Sequence, residues 1–282
     1  MASVETAIRS EPMYAMGYTG EERQRLIAQA RLLEDSTRHL MLDAGIAEGM
    51  AVLDIGCGVG DVSFLAASLV GDRGKVVGVD RDPRALAVAR DRAAGMGLAN
   101  VEFLQSDLQR FEPDGEFDAF VGRLVLLYLP DPAEVLRNLL RRIRPGGAVA
   151  FQDFQFDHAG FSYPPVAQME LFWEWFVTTL RRAGGSTSMG LELYQTFIEA
   201  GLPAPHLRAE HPMISAVDSQ WLSMPEMVLR SILPLLEQFG IATAAEVDVD
   251  TWTDRLAKEV IGRNAVCSAP MIFSAWTTVA ES

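Results

Sequence analysis

The run Val52-Leu53-Asp54-Ile55-Gly56-Cys57-Gly58-Val59-Gly60 constrains this chain more than any other stretch of it. A mostly apolar segment leads straight into alternating glycines, the pattern of a buried strand delivering the chain to a tight corner. Glycines 56, 58 and 60 can take positive φ and place no Cβ between the backbone and a ligand. Val62-Ser63-Phe64-Leu65-Ala66-Ala67 then reads as the first turns of a helix. A ligand lying on such a turn would meet open backbone amides at a helix N-terminus. The spacing discriminates between ligand classes. A dinucleotide fingerprint is Gly-x-Gly-x-x-Gly, and here the third glycine comes one residue early, which disfavours a nicotinamide oxidoreductase.

Further landmarks follow in order. Lys75-Val76-Val77-Gly78-Val79-Asp80 reads as a second buried strand that ends in a carboxylate about 20 residues beyond Gly60. An acid at that edge grips ribose hydroxyls, because a carboxylate accepts two hydroxyl hydrogen bonds side by side. Asp80 alone could equally be a helix N-cap, since Pro83 follows it. Val101-Glu102-Phe103-Leu104-Gln105 is a third strand, followed by Ser106-Asp107-Leu108, where Asp107 by itself could be a simple turn residue. Phe117-Asp118-Ala119-Phe120-Val121 and Ala148-Val149-Ala150-Phe151, the latter after Pro145-Gly146-Gly147, complete a strand series over residues 50–154. In this order the D-x-G-x-G-x-G turn and its sequels resemble the class I S-adenosylmethionine-dependent methyltransferases, of the small-molecule type.

The alternation of strands and helices predicts an α/β fold: a doubly wound, mostly parallel sheet with helices on both faces. The resemblance implies a Rossmann-like methyltransferase sheet with an antiparallel last strand, S-adenosylmethionine as cofactor and S-adenosylhomocysteine as product. It assigns Asp54, Gly56, Cys57, Gly58 and Gly60 to the cofactor turn, Asp80 and its neighbour Arg81 to the ribose end, and Asp107 to the adenine amine. The Leu108 amide would face a ring nitrogen of the adenine. Cys57 reads otherwise as a small residue tolerated in the turn. Gly17-Tyr18, followed by Glu22-Arg23, Arg25-Leu26 and Gln29-Ala30, resembles a lead-in that covers the methionine end of the cofactor in this class. Tyr18 is thus a candidate contact to the cofactor carboxylate, or else a tyrosine packed under the helix that follows. Arg123 lies at a strand's carboxyl end, where a guanidinium could hold a carboxylate of cofactor or substrate, or stay solvated.

The organisation divides into residues 1–46, a cofactor-covering segment and helix; 47–154, the cofactor-binding core; and 155–282, the substrate side. Thr19 with Glu22 reads as a capping box opening a helix from about 20 to 45, with Leu26, Ala30, Leu33, Thr37, Leu40 and Ala44 as its apolar stripe. Met169, Phe172, Trp173, Phe176 and Leu180 form a bulky stripe on a helix near 164–183, and Leu191 to Ala200 reads as another. Pro205 to Ile214 reads as a sixth strand and Met271 to Val279 as the last. Helices over about 218–264 then form a lid insertion between the two final strands.

Composition narrows the partners. A net charge of −14 without a basic stripe speaks against nucleic acid and anionic lipid. No apolar run is long enough for a membrane span and the N-terminus lacks a signal-peptide core, so a cytoplasmic protein is expected. Two cysteines, 57 and 267, without a CxxC pattern fit a reducing compartment and provide no cysteine zinc site. Among 24 basic residues only Lys75 and Lys258 are lysines, a bias associated with GC-rich bacterial genomes and hence with specialised metabolism. The expected partner is a small, apolar or aromatic acceptor, for O-, N- or C-methylation, taken by a monomer or homodimer. His158, just past the fifth strand, is the candidate general base, or a solvated loop histidine. The alternatives are a cofactor-binding protein of this fold that catalyses another reaction, such as a cyclisation, and a regulatory cofactor binder.

Overall fold

A computed structural model describes residues 20–112, 114–157, 159–216 and 219–280. A long helix, α1 (Gly20–Asp43), precedes β1 (Ala51–Ile55), α2 (Asp61–Val70), β2 (Lys75–Asp80), α3 (Pro83–Met96) and β3 (Val101–Gln105). Next come β4 (Phe117–Arg123), α4 (Pro132–Leu139), β5 (Ile143–Gln155), β6 (Ser162–Tyr163), α5 (Ala167–Arg182) and α6 (Met189–Glu199). The chain finishes with β7 (His206–Glu210), β8 (Met213–Ile214), α7 (Ser219–Gln238), α8 (Ala244–Val247), α9 (Trp252–Arg263), β9 (Val266–Ser268) and β10 (Met271–Thr278).

The main sheet has seven strands in the order β3-β2-β1-β4-β5-β10-β7. β3 to β5 run parallel, and β10 alone is antiparallel to both its neighbours. This is the doubly wound sheet with an antiparallel last strand that the alternation and the resemblance predict. The winding reverses between β1 and β4, so the crevice beyond their carboxyl ends is where such a sheet receives a ligand. The glycine turn after β1 and Arg123 at the end of β4 therefore arrive at one place.

Local chemistry explains the elements. Asp82 caps α3 by accepting from the Arg84 amide at 3.1 Å, with Pro83 at the first helical position, so the capping reading belongs to Asp82 and leaves Asp80 for another task. Gly122 in β4 allows the Phe151 ring of β5 to lie where a Cβ would stand only 2.5 Å from it. On one face of the sheet Leu40, Met41 and Ile46 pack with Val62 and Leu65. On the other, Phe151 meets Phe197 of α6 edge-on at 6.2 Å. The α1 stripe is buried at Ala30, Leu33, Thr37 and Leu40, with Ser36 and Met41 beside it.

The sixth strand differs from its expected span. Pro205 to Ile214 divides into β7, at the edge of the main sheet, and β8, in a second sheet of order β6-β9-β8. The break falls at His211-Pro212, because a proline has no amide to continue the ladder. The helices α7 to α9 lie between β8 and β9, within the insertion predicted for 218–264. α7 carries Pro225 and Pro234 in its interior, and its buried Leu222, Leu229, Ile232 and Leu236 hold it against α1, α5 and α9. Among the described residues no helix is long and apolar enough to cross a membrane.

Candidate active site

The glycine turn is built by three different demands. All three glycines have positive φ: 70° at Gly56, 53° at Gly58 and 93° at Gly60. A Cβ at Gly56 would meet the Val125 side chain at 2.4 Å, and one at Gly60 would meet the Phe64 ring at 2.6 Å. A Cβ at Gly58 would meet nothing within 4 Å, and Gly58 lines a large cavity, so only this glycine keeps space clear for a ligand. Several of the turn's amides are engaged within the protein. Gly56 and Cys57 both donate to the Val79 carbonyl, at 2.8 and 3.0 Å, Gly60 donates to Cys57, and Gly58 donates to Asp80 Oδ2 at 2.8 Å. Folding β1 tightly against β2 consumes the donors of Gly56, Cys57 and Gly58, so at these residues the turn offers close approach more than hydrogen bonds. Cys57 is buried, and burial first, then the charges of Asp54 and Asp80, push its thiol well above the usual range. It is therefore an inert thiol at neutral pH.

Asp80 faces this turn from the end of β2. Its Oδ1 accepts from the Asp82 amide at 2.9 Å while Oδ2 holds Gly58, which fixes the carboxylate's orientation. Burial pushes its pKa up, against the pull of these two amides. Each oxygen keeps a further lone pair for a hydroxyl. Arg81, Asp107 and Leu108 line the same cavity. Asp107 is exposed at the rim and its Oδ1 accepts from the Gln109 amide at 3.0 Å, so it is both a turn former and a wall residue.

Asp54 stands behind the turn and outside the cavity wall. Ser63 Oγ of α2 donates to its Oδ2 at 2.5 Å, and its Oδ1 is buried without a partner. Burial pushes its pKa up to about 7, opposed by the Ser63 bond and by the charge of Arg123. Arg123 itself lines the cavity and donates from Nη1 to Thr37 Oγ1 at 2.9 Å. Thr37 and Ser36 of α1 meet Gln152 of β5, which also donates to Ser274 of β10 at 3.0 Å. This buried polar network stitches α1 across the sheet and sets the guanidinium in the wall. Burial pulls the Arg123 pKa down, whereas the negative charges of Asp61, Asp54 and Glu34 oppose that. Among the described residues no carboxylate forms an ion pair with it.

The cavity continues under the lid and changes character. Beyond Arg123 its wall is Phe154 and Phe156 of β5 and its exit, Met169, Phe172 and Phe176 of α5, and Met224 of α7. The bulky α5 stripe read from the sequence is thus cavity lining as well as core. α1 closes the opposite side. Its Arg25, 3% exposed, makes a double hydrogen bond to Glu22 at 2.8 and 2.6 Å, and Ser231 Oγ of α7 donates to Glu22 Oε2 at 2.7 Å. Arg25, Gln29, Asp61, Leu124 and Tyr128 line the cavity as well. Arg25 and Gln29 belong to the lead-in read from the sequence, whereas Asp61 and Tyr128 do not stand out in it. Glu22, Arg25 and Gln29 share one helix face by their three- and four-residue spacing, which was the available signal. Leu124, just past the end of β4, has φ +55°, a left-handed backbone imposed by the corner there.

Tyr18, Thr19 and His158 lie outside the described residues. Asp157, adjacent to His158, is already engaged: Ser188 Oγ donates to its Oδ2 and Arg181 Nη2 to its Oδ1, each at 2.5 Å. The Ser188 bond chiefly lowers its pKa. Of the other histidines, His206 stacks on Trp276 at 5.6 Å, and His211 sits 3.0 Å from the Ala269 carbonyl. Both positions are structural. Among the described residues no cluster of His, Cys, Asp and Glu is arranged to hold a metal.

Comparison with known proteins agrees with this architecture. Residues 46–201, more than half of the chain, match the methyltransferase domain family, and the protein belongs to that family. A ubiquinone/menaquinone biosynthesis C-methyltransferase from Ectopseudomonas mendocina is 35% identical over 136 residues, covering 44% of this chain and 53% of the relative. An arsenite methyltransferase from Aquipseudomonas alcaligenes is 39% identical over 120 residues, covering 40% of this chain and 35% of the relative. The chain thus spans about half the length, or less, of these curated relatives. A solved structure of a putative methyltransferase from Bacillus halodurans shares the fold, with a TM-score of 0.58 at 18% identity over 87% of this chain and 99% of that one.

Proposed function

We propose that the protein transfers the methyl group of S-adenosylmethionine to a small, apolar or aromatic organic acceptor. One observation carries this reading: a single cavity has an acidic and glycine-lined end at the sheet's switch point and an aromatic end beneath the lid. A ligand with a cis-diol at one end and a carboxylate at the other fits the donor set. Asp80 would take the diol, Gly58 leaves space for it, and Arg123 is a cation in the wall without a carboxylate partner among the described residues. Asp107 and the Leu108 amide would hold the adenine, with Arg81 at the rim and Tyr18 joining Arg123 at the methionine end. Gly56, Cys57 and Gly60 shape the turn, and Asp54 braces it through Ser63.

When bound, the cofactor would supply an electrophilic sulfonium methyl, whose transfer to the acceptor releases the neutral thioether S-adenosylhomocysteine. The chain's own task is alignment and dryness. The aromatic walls position the acceptor, and α1 with α7 exclude water, which strengthens the site's electrostatics. An oxygen or acidic-carbon acceptor also needs a base, and His158 is the candidate. An organic acceptor of the quinone kind suits this wall better than arsenite. Arsenic(III) is a soft, thiol-seeking centre, and both cysteines of the chain are buried with raised pKa values.

Calorimetry with S-adenosylmethionine and S-adenosylhomocysteine, followed by mass analysis of a panel of phenols, hydroquinones and amines, tests the reading. Binding of both and a gain of one methyl on an acceptor are expected. Cofactor binding with no methylated product over a broad panel would point to a non-methylating or regulatory role. If the base reading holds, His158→Ala lowers the rate by about 10²–10⁴-fold with cofactor affinity unchanged, and the pH–rate profile loses its limb near neutrality. Near-normal turnover in that variant would leave catalysis to alignment alone.

A further inference from the structure

The aromatic end of the cavity is separated from a second, outward-opening groove by two side chains, Phe156 and Trp173, which line both spaces. Their rings lie 6.2 Å apart at 38°, and because each side chain lines both spaces the partition is one side chain thick. On the far side the groove runs past Gly160, Glu174, Val177 and Arg181. The Trp173 indole rests directly on Gly160, where a Cβ would come within 1.7 Å of its Cδ1. Trp173 is 9% exposed, and its Nε1–H is buried without a hydrogen-bond partner among the described residues. Packing against Phe156, Phe172 and Phe176 holds the ring across the gap.

We propose that Trp173 sets the length of acceptor that this site admits, confining it to compact aromatic or apolar molecules whose tail ends at the indole. The inference rests on the reading of the aromatic end as the acceptor's place. A bulky wall backed by open space limits size by shape and not by charge. Its removal joins the cavity to the groove, whereas removal of a wall backed by packed protein would only leave a small void. Gly160 is the feature that lets so large a ring lie in this position. Any side chain there would displace it.

The test uses the protein saturated with S-adenosylhomocysteine and a series of 4-n-alkylphenols from methyl to decyl, with affinities from calorimetry. In the wild type each added methylene should tighten binding about fourfold until the chain meets the indole, after which affinity stops rising or falls. Trp173→Ala should move that cut-off to chains at least two carbons longer, while Trp173→Phe, which keeps a ring in the gap, should shift it less. Trp173→Leu provides the same reading if the alanine variant does not fold. An unshifted cut-off in folded alanine or leucine variants overturns the role of Trp173. Absence of alkylphenol binding to wild type and variants alike overturns instead the assignment of the aromatic end to the acceptor.

Discussion

At the scale of the residue, each member of the glycine turn has a different reason to be glycine, and this gives separable outcomes. Gly58→Val places a branched side chain in the open cavity at positive φ, so cofactor binding should fall below detection in calorimetry while the fold persists. The same change at Gly60 drives into Phe64 and should first lower the melting temperature. Asp80→Asn keeps the shape of the carboxylate but weakens both its amide bonds and its hold on a diol. Cofactor affinity should fall by about tenfold or more, on the order of 1.5–3 kcal/mol. Unchanged affinity would remove the ribose assignment.

Asp54 adds a pH dependence whose sign can be worked out. Its folded pKa, about 7, exceeds the ordinary value of 3.8, so the folded state holds a proton that the unfolded chain has released between those values. Stability therefore falls as pH rises through that window and levels off above it. Asp80 and Asp153, also raised by burial, contribute slopes of the same sign. Asp54→Asn, which mimics the protonated acid, should match the wild type near pH 3.5, gain on it progressively up to about pH 7 and keep that margin above it. Melting curves across pH 3.5–8 measure the difference. A variant that loses stability most at high pH would show that the charged form is the one the fold needs.

At the scale of the element, α7 is held from one side by a part-buried polar contact. Ser231 of α7 reaches Glu22 of α1, and Glu22 is also bound by Arg25. Arg25→Ala would deprive a nearly fully buried carboxylate of its bidentate partner and should destabilise by about 3 kcal/mol. Ser231→Ala should cost about 1 kcal/mol and loosen α7, lowering turnover more than cofactor affinity. Limited proteolysis should cut near 240–246, where Gly240 and the Thr243 cap connect α7 to α8, and less so with both ligands bound. Equal cutting in the free and bound protein would argue for a permanently closed insertion.

At the scale of the whole molecule, a cofactor bound at the sheet's switch point would link binding to folding. S-adenosylhomocysteine at a hundred times its Kd should stabilise the native state by about 2.7 kcal/mol, visible as a raised melting temperature. Much of the architecture is local information and could be read directly. β1, β2, β4 and β5 announce themselves because a parallel strand buried on both faces is an apolar run bounded by Gly, Asp or Pro. By contrast β3, at the sheet's edge with only Phe103 buried, is legible mainly from its place in the series. The turn glycines and Asp80 follow from spacing, since strand ends in a doubly wound sheet converge wherever the chain reverses its winding. Tertiary structure decided the rest. The amides of Gly56, Cys57 and Gly58 look open in sequence and are spent on β2, because which donor meets which acceptor depends on how closely two strands pack. Arg123 was legible as a cation at a strand end, but its setting required Thr37, Gln152 and Ser274 from α1, β5 and β10 to meet. The division of Met, Phe and Trp between core and cavity wall was likewise undecidable from periodicity, which marks the buried face of a helix and cannot tell whether protein or ligand covers it.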